Sequence, residues 1–197
     1  MTNAMPNRLH VRKGLIANRI LFLAKMGSVR FRTVFCPVVN RNASIGITPA
    51  HLQAVASELS KLLADEFLLY TKTRNAHWNV EGPDFHTKHI FFEEQYEQLD
   101  DIMDSVAERI RQLGHYAPAT LQSFLQLTHL TEKLGQPNDS LGFIKELLTD
   151  HENIIIFLRE KINPFANEYG DAGTSDYITG LMETHEKMAW FLRAHLK

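Results

Sequence analysis

Four side chains able to bind a metal ion are spaced symmetrically along one amphipathic segment, which lies between Pro83 and Gly114. These side chains are His89, Glu93, Asp104 and Glu108. His89 precedes the midpoint between Gln98 and Leu99 by as many residues as Glu108 follows it, and Glu93 and Asp104 are related in the same way. An α-helix turns about 100° per residue, so all four fall within a stripe about 100° wide. The segment therefore predicts a helix with one metal-binding face.

A single copy of this helix cannot close the site. His89 and Asp104 lie roughly 22 Å apart along the axis, at about 1.5 Å per residue, which is far more than a metal site spans. Two copies packed antiparallel about a twofold axis bring His89 opposite Glu108 of the second copy, and Glu93 opposite Asp104. Such an isologous interface forms two identical sites. The spacing therefore predicts a metal site shared between subunits.

The ligand types narrow the range of metals that could bind but do not identify one. Imidazole and carboxylate together suit Fe, Mn, Co and Zn, and the absence of thiolate argues against a cysteine-type zinc site. Ferritin-like di-iron bundles usually carry Glu-x-x-His pairs inside one subunit, but no Glu of this chain has a His three residues later. Two other interpretations remain open: a solvated acidic helix face, or an antiparallel dimer seam without metal.

Composition is typical of a globular protein with one bundle-sized domain. The chain has 197 residues, of which 44% are hydrophobic and 22% charged. The single cysteine, Cys36, excludes an internal disulfide framework and is interpreted as incidental. Secretion is not expected, because Arg19 interrupts the short apolar run between Leu15 and Leu23, and no run reaches transmembrane length.

Charge divides the chain into two parts. Residues 1–57 contain eight of the 21 basic residues and none of the 23 acidic ones. Residues 1–46 also lack helical or strand periodicity, so they are predicted to be a basic, disordered N-terminal extension, or upstream sequence from a misassigned start, with Met1, Met5 or Met26 as the true first residue. Residues 47–197 are predicted to form the folded domain.

The rest of the chain predicts an all-α fold, a four-helix bundle with a short helix in the crossover between helices 2 and 3. Helix 1 is expected from Thr48 and Pro49, as N-cap and first turn, to about His77, and helix 2 ends at Gly114. Between Pro118 and Gly135, the apolar residues Leu121, Phe124, Leu125 and Leu127 suggest the short helix. Helix 3 is expected from Asn138 or Asp139 until before Pro164, and helix 4 from Thr174 or Ser175. The core of helices 3 and 4 is predicted to include Leu141, Ile144, Leu148, Ile155, Leu158, Ile162, Ile178, Leu181, His185, Met188 and Leu192.

The run from Lys72 to Gly114 resembles the Dps family, the DNA-binding proteins from starved cells, which belong to the ferritin-like group. The residues that carry the resemblance are Lys72, Thr73, Asn75, His77, Trp78, Asn79, Val80, Gly82, Phe85, His89, Asp104, Ala107, Glu108, Arg109, Gln112, Leu113 and Gly114. The similarity extends from Ile45 to about His195, and the first 44 residues have no counterpart.

The resemblance implies a ferroxidase centre at the twofold interface. Its iron ligands would be His77 and His89 of one subunit with Asp104 and Glu108 of its neighbour. Glu93 stands where many relatives carry Asp, which bears on whether one or two irons bind. Trp78 resembles the family's aromatic residue beside the centre, able to give up an electron; the alternative role is interface packing. No residues are assigned to a further cofactor.

By the same resemblance, the expected function is oxidation of Fe²⁺ by hydrogen peroxide or dioxygen and storage of ferric mineral in a hollow homododecamer. This activity would protect DNA during oxidative stress, in the cytoplasm or in association with the nucleoid, without a membrane partner. Asp171 and Asp176 are candidates for lining the shell's cation pores, although acids there also suit helix capping. The alternative function is a non-catalytic protein that compacts DNA through the basic arm.

Overall fold

The structure is a computed structural model that describes residues 43–132 and 139–197. Five α-helices lie within these ranges: α1 (Pro49–Asn79), α2 (Phe85–Gln112), α3 (Leu121–Leu127), α4 (Ser140–Asn163) and α5 (Ala172–Ala194). A π-helical turn, Pro164–Glu168, separates α4 from α5. The described residues contain no β-strand, which confirms the all-α prediction. Cys36 and nearly all of the basic arm lie outside the described ranges.

Side-chain caps fix where the helices begin. The Thr48 hydroxyl accepts a hydrogen bond from the His51 amide, and Pro49 follows in the first turn of α1. The carboxylate of Asp139 accepts from the Gly142 amide and begins α4. Beyond α2, Gly114 has a φ of 85°, a left-handed conformation that glycine adopts without strain. The predicted boundaries at these points are confirmed.

Two predictions about α4 and α5 are wrong. Helix α5 begins at Ala172, before the predicted Thr174 or Ser175, because Asp171 is the N-cap and accepts from the Thr174 amide at 2.9 Å. Leu141 was expected in the core but is 48% exposed. The buried residues of α4 define an inner face whose centre lies about 100° around the helix axis from Leu141. The Leu141 side chain therefore points to solvent.

The helices pack as two antiparallel pairs, α1 with α2 and α4 with α5. Tyr70 of α1 faces Tyr96 of α2, and His77 faces His89, which gives their antiparallel direction. Helix α3 packs on α1, where Phe124 stacks on Phe67. One continuous apolar core joins the four long helices and includes Leu59, Leu62, Leu69, Phe92, Leu99, Val106, Ile110, Ile144, Ile154, Leu158, Ile178 and Leu192, each no more than 1% exposed. In the described part of the chain, no helix combines the length and hydropathy needed to cross a bilayer.

Candidate metal centre

His77 and His89 lie face to face between α1 and α2. Their ring centroids are 3.8 Å apart, and the ring planes are inclined by 21°. His77 lies in the last turn of α1 and His89 in the second turn of α2, and the connection at residues 80–84 folds one helix back onto the other. His77 is buried and His89 is half-buried. The two imidazoles predicted for one subunit's half of the site are thus brought together.

Each imidazole donates a hydrogen bond to the main chain of the other residue. Nδ1 of His77 lies 2.8 Å from the carbonyl oxygen of His89, and Nδ1 of His89 lies 2.8 Å from the carbonyl oxygen of His77. Because a carbonyl oxygen can only accept, both Nδ1 atoms carry a proton. In the neutral rings Nε2 then keeps its lone pair, which is what a divalent cation binds. The two histidines therefore fit a metal site in which Nε2 of each ring binds the ion while a main-chain oxygen holds Nδ1.

Glu93 is held by Tyr96, one turn further along α2. The Tyr96 hydroxyl donates to Oε1 of Glu93 at 3.1 Å, and the Tyr96 ring meets the His77 ring edge-on with centroids 5.2 Å apart. Burial, together with the hydrogen bond to Glu93, raises the pKa of Tyr96 above its ordinary value of 10.0. The phenol therefore keeps its proton at neutral pH and remains a donor to the carboxylate.

Arg74 lies among the aromatic rings beside this carboxylate. Its guanidinium carbon is 4.2 Å from the ring centroid of Tyr96, 5.0 Å from that of Trp78 and 5.7 Å from that of Tyr70. Trp78 is 64% exposed, so one side of this aromatic cluster faces outward. A fixed positive charge therefore stands over the ring of Tyr96, whose hydroxyl donates to Glu93, at a distance typical of cation–π contacts.

Asp104 and Glu108 lie on the far half of α2, on exposed surface. Asp104 borders a surface cleft that also contains Leu63, Phe67 and Asp101. Within the described residues, neither Asp104 nor Glu108 forms a side-chain hydrogen bond or an ion pair. Both carboxylates are therefore open to a ligand from outside the chain.

One chain does not assemble a complete site. Across residues 43–132 and 139–197, no three His, Cys, Asp or Glu side chains come together in a way that could hold a metal ion. The helix itself supplies the physical reason, because a straight α2 separates His89 from Asp104 by roughly 22 Å. The structure brings the histidines together and leaves Asp104 and Glu108 of the predicted set at a distance from them.

The two pore candidates have different environments. Asp171 is 3% exposed and accepts hydrogen bonds from the amide and the hydroxyl of Thr174, while Arg109 lies 3.3 Å away as its ion-pair partner. Asp171 therefore caps the N-terminus of α5, the second of the two roles considered for it. Asp176 is exposed on the first turns of α5.

Sequence reasoning missed a group of three polar side chains inside the bundle. Glu66, His151 and His185 are each no more than 1% exposed. His185 was placed in the core stripe of the last helix, but Glu66 and His151 were not singled out. A signal was present, since Glu66 occupies the inner position between Leu62 and Leu69 in a 4-then-3 spacing. Burial, followed by the neighbouring His185, lowers the pKa of His151 well below 6.5, so its ring is neutral at pH 7.

Comparison with protein families and curated proteins gives consistent matches. The family model described as a ferritin-like domain matches residues 56–197. An uncharacterized low temperature-induced protein of Nostoc sp. is 42% identical over 78% of this chain and 86% of its own length. The DNA protection during starvation protein of Helicobacter pylori is 38% identical over 70% of this chain and 95% of its own.

Solved structures agree with the sequence matches. A crystal structure of a Dps protein from Vibrio cholerae O1, described as a member of a broad superfamily of ferritin-like diiron-carboxylate proteins, superposes with a TM-score of 0.74. It is 30% identical, and the match covers 78% of this chain and 96% of the other. Fold and sequence therefore indicate the same family.

Proposed function

The chain belongs to the Dps family of ferritin-like proteins, and from this premise we propose that it is a ferroxidase and iron-storage protein whose oxidation sites are shared between subunits. Fe²⁺ is the substrate. His77 and His89 of one subunit, with Asp104 and Glu108 of its neighbour, are the proposed ligands. Glu93 lies within reach of the same ions or of a water bound to them.

The observation that carries this proposal is the fixed tautomer of the two histidines. Both Nδ1 atoms are engaged by main-chain oxygens at 2.8 Å, so both Nε2 atoms keep lone pairs for a cation. Metal-binding histidines usually have this kind of second hydrogen bond, which orients the ring and raises its basicity.

A second copy of α2 would complete the ligand set. Asp104 and Glu108 are exposed and have no partner among the described residues, and they lie on the side of α2 predicted to face its antiparallel copy. The two sites of such a dimer combine neutral imidazole with carboxylate, a set that binds Fe²⁺. We propose that twelve chains assemble into a hollow shell through this and other contacts, with Asp176 as a candidate pore residue.

The proposed reaction is a two-electron reduction of peroxide. Two Fe²⁺ ions each give one electron to hydrogen peroxide, which takes up two protons and leaves as two water molecules. The resulting Fe³⁺ hydrolyses and collects as mineral inside the shell, so the reactants of hydroxyl-radical formation are consumed together and DNA is protected. Dioxygen is the alternative oxidant. Where only one iron is bound, the indole of Trp78 is the proposed source of the second electron.

Anaerobic Fe²⁺ titration followed by peroxide tests the proposal. The intact chain should bind a fixed number of Fe²⁺ ions per subunit and consume one peroxide for every two Fe²⁺ oxidised. Replacing both His89 and Asp104 by Ala should slow oxidation by roughly 100-fold, since loss of a ligand costs at least as much as loss of its hydrogen-bond partner.

Glu94→Ala is the matched control, because Glu94 is an exposed acid on the same helix but lies outside the predicted metal-binding stripe. Its oxidation rate should equal that of the unchanged chain. Equal rates for the His89/Asp104 double variant and for Glu94→Ala would favour the alternative in which α2 is only a dimer seam.

A second candidate function, DNA binding by the basic arm, is favoured by the charge distribution. All eight basic residues before residue 58 stand in a segment without acidic residues. Phosphate backbones attract such a segment through counterion release. This function is compatible with iron oxidation and does not require the metal site.

A further inference from the structure

Tyr96 of α2 is a phenol in direct contact with the proposed oxidation site. Its ring meets the ring of His77 edge-on, with centroids 5.2 Å apart, and its hydroxyl donates a hydrogen bond to Oε1 of Glu93 at 3.1 Å. The side chain is half-buried between α1 and α2. Tyr96 therefore contacts one proposed imidazole ligand and the carboxylate that lies within reach of the same ions.

The contact with Glu93 gives Tyr96 what a tyrosine needs in order to release an electron. An oxidised phenol is a strong acid, so the electron leaves readily only where a nearby group accepts the proton. Oε1 of Glu93 lies within the distance at which a proton passes along a hydrogen bond. The ring of Tyr70 is 6.1 Å away, but its hydroxyl has no acceptor within residues 43–132 and 139–197. Of these two phenols, Tyr96 is the one with a proton acceptor in place.

The positive charge of Arg74 also favours Tyr96 over the neighbouring indole. Its guanidinium carbon is 4.2 Å from the ring centroid of Tyr96 and 5.0 Å from that of Trp78. A tryptophan that loses an electron first becomes a radical cation, which a nearby positive charge disfavours. A tyrosine that also loses its proton keeps a neutral ring, and the proton neutralises the carboxylate of Glu93. The charge gained on oxidation is therefore moved from the ring beside Arg74 to an acid.

On the premise of the proposed ferroxidase activity, we propose that Tyr96 is a second electron donor to hydrogen peroxide when a site holds a single Fe²⁺, with Glu93 as its proton acceptor. Peroxide takes one electron from Fe²⁺, one from the phenol and two protons from solvent. Its O–O bond breaks, and two water molecules leave. The phenolic O–H bond breaks, the proton binds Oε1 of Glu93, and a neutral phenoxyl radical remains on Tyr96. The second oxidising equivalent is thus held on the protein and is not released as hydroxyl radical.

Freeze-quenched electron paramagnetic resonance tests the proposal. The chain is loaded anaerobically with less than one Fe²⁺ per subunit and mixed with excess hydrogen peroxide. We expect a tyrosyl signal that narrows when the protein is produced with ring-deuterated tyrosine. Tyr96→Phe should lose this signal, whereas Trp78→Phe should keep it because the donor is the phenol.

Tyr70→Phe is the matched control, since it removes a phenol from the same aromatic cluster without touching Glu93. Its tyrosyl signal should equal that of the unchanged chain. A full signal in Tyr96→Phe, or loss of the signal in Tyr70→Phe, overturns the proposal. Hydroxyl radicals attacking at random would spread the signal over the five tyrosines of the chain, so that no single substitution removed it, which also counts against Tyr96 as the donor.

The destination of the proton is measured on the unchanged chain, so this result does not depend on whether a variant folds. The protonated carboxyl of Glu93 should remain hydrogen-bonded to the phenoxyl oxygen. Electron–nuclear double resonance should therefore detect a proton coupled to the radical that disappears when the protein is equilibrated in D₂O. A tyrosyl radical without such an exchangeable proton would contradict the role of Glu93.

Iron oxidation, followed by absorbance in the same samples, separates this proposal from the ferroxidase function on which it rests. If the unchanged chain oxidises no Fe²⁺, the ferroxidase proposal fails and the donor role of Tyr96 fails with it. If Fe²⁺ is oxidised by peroxide and no tyrosyl signal appears, only the role of Tyr96 is overturned.

Discussion

The imidazoles of His77 and His89 are oriented by backbone oxygens that sequence inspection cannot locate. The helical spacing of α2 identified His89, but His77 was recognised only through its resemblance to a family motif. Their hydrogen bonds join residues twelve positions apart across the connection between α1 and α2, so the arrangement depends on how tightly α1 folds onto α2. Residue types and spacing therefore predicted which groups could bind a metal, but not their tautomers.

Tyr96 offers a test of how Glu93 is positioned. Tyr96→Phe removes the hydroxyl that donates to Glu93 and keeps the ring that packs against His77. We expect stability to change by about 1 kcal/mol or less, the typical net contribution of one hydrogen bond. Co²⁺ affinity at the intersubunit site should fall several-fold, because the carboxylate becomes free to adopt other rotamers. Chemical denaturation of the unchanged and substituted chains measures the stability, and Co²⁺ titration of the same two chains measures the affinity.

Tyr70→Phe is the matched control for Tyr96→Phe. Its ring lies in the same aromatic cluster and contacts Tyr96 edge-on, but its hydroxyl does not bond to Glu93. This substitution should leave Co²⁺ affinity unchanged. If both variants bind the ion as well as the unchanged chain, Glu93 does not depend on Tyr96 for its position.

At the scale of helices, caps and apolar spacing predicted most of the architecture. Thr48, Asp139 and Gly114 mark boundaries that the structure confirms, because each satisfies a backbone requirement that is local in sequence. The start of α5 was missed because Thr174 and Ser175 are themselves favoured N-cap residue types, and only the structure shows the Asp171 carboxylate bonded to the Thr174 amide. The buried Glu66 and His151 were missed for another reason. Polar residues are expected on the exposed face of a helix, and only the positions of the neighbouring helices show that these two are covered.

Capping by Asp171 can be separated from a role in a cation pore. Asp171→Ala removes the acceptor for the Thr174 amide and the partner of Arg109, and we expect it to cost about 2 kcal/mol of unfolding free energy. Asp171→Asn keeps an acceptor for the amide and should recover part of that loss. Chemical denaturation of each variant measures the difference.

Asp176→Ala completes this comparison, since Asp176 is exposed and forms no cap. It should leave the unfolding free energy within about 0.5 kcal/mol of the original. A slower uptake of iron in Asp176→Ala, at unchanged stability, would support the pore role. If Asp171→Ala is as stable as Asp176→Ala, the capping interpretation of Asp171 is wrong.

For the whole molecule, the separation of charge along the chain predicts how it interacts with DNA. Residues 1–57 carry all of the excess positive charge, and the remainder carries an excess of acid. We expect the full chain to retard duplex DNA in gels at low salt, and a shortened chain beginning at Ala43 not to do so. Binding should weaken steeply as salt rises, because each phosphate contact releases counterions. Equal retardation by both chains would exclude the arm as the binding segment.

Assembly is the part of the molecule that a single chain describes least. The symmetric spacing along α2 predicts a shared site, and the distance between His89 and Asp104 explains why one chain does not complete it. How many copies assemble depends on surfaces whose complementarity is not encoded in any local pattern. The isologous dimer therefore stays a prediction from the spacing along α2, and the size of the shell stays a prediction from family resemblance.

The reciprocal attachment of His77 and His89 has a consequence for mutagenesis. Each ring is tethered to a main-chain oxygen, which no side-chain replacement removes, so deleting one imidazole leaves the anchor of the other in place. Only the face-to-face ring contact is lost in common. In iron-free protein, any coupling energy between the two positions in a double-mutant cycle should therefore report the contact between the rings alone.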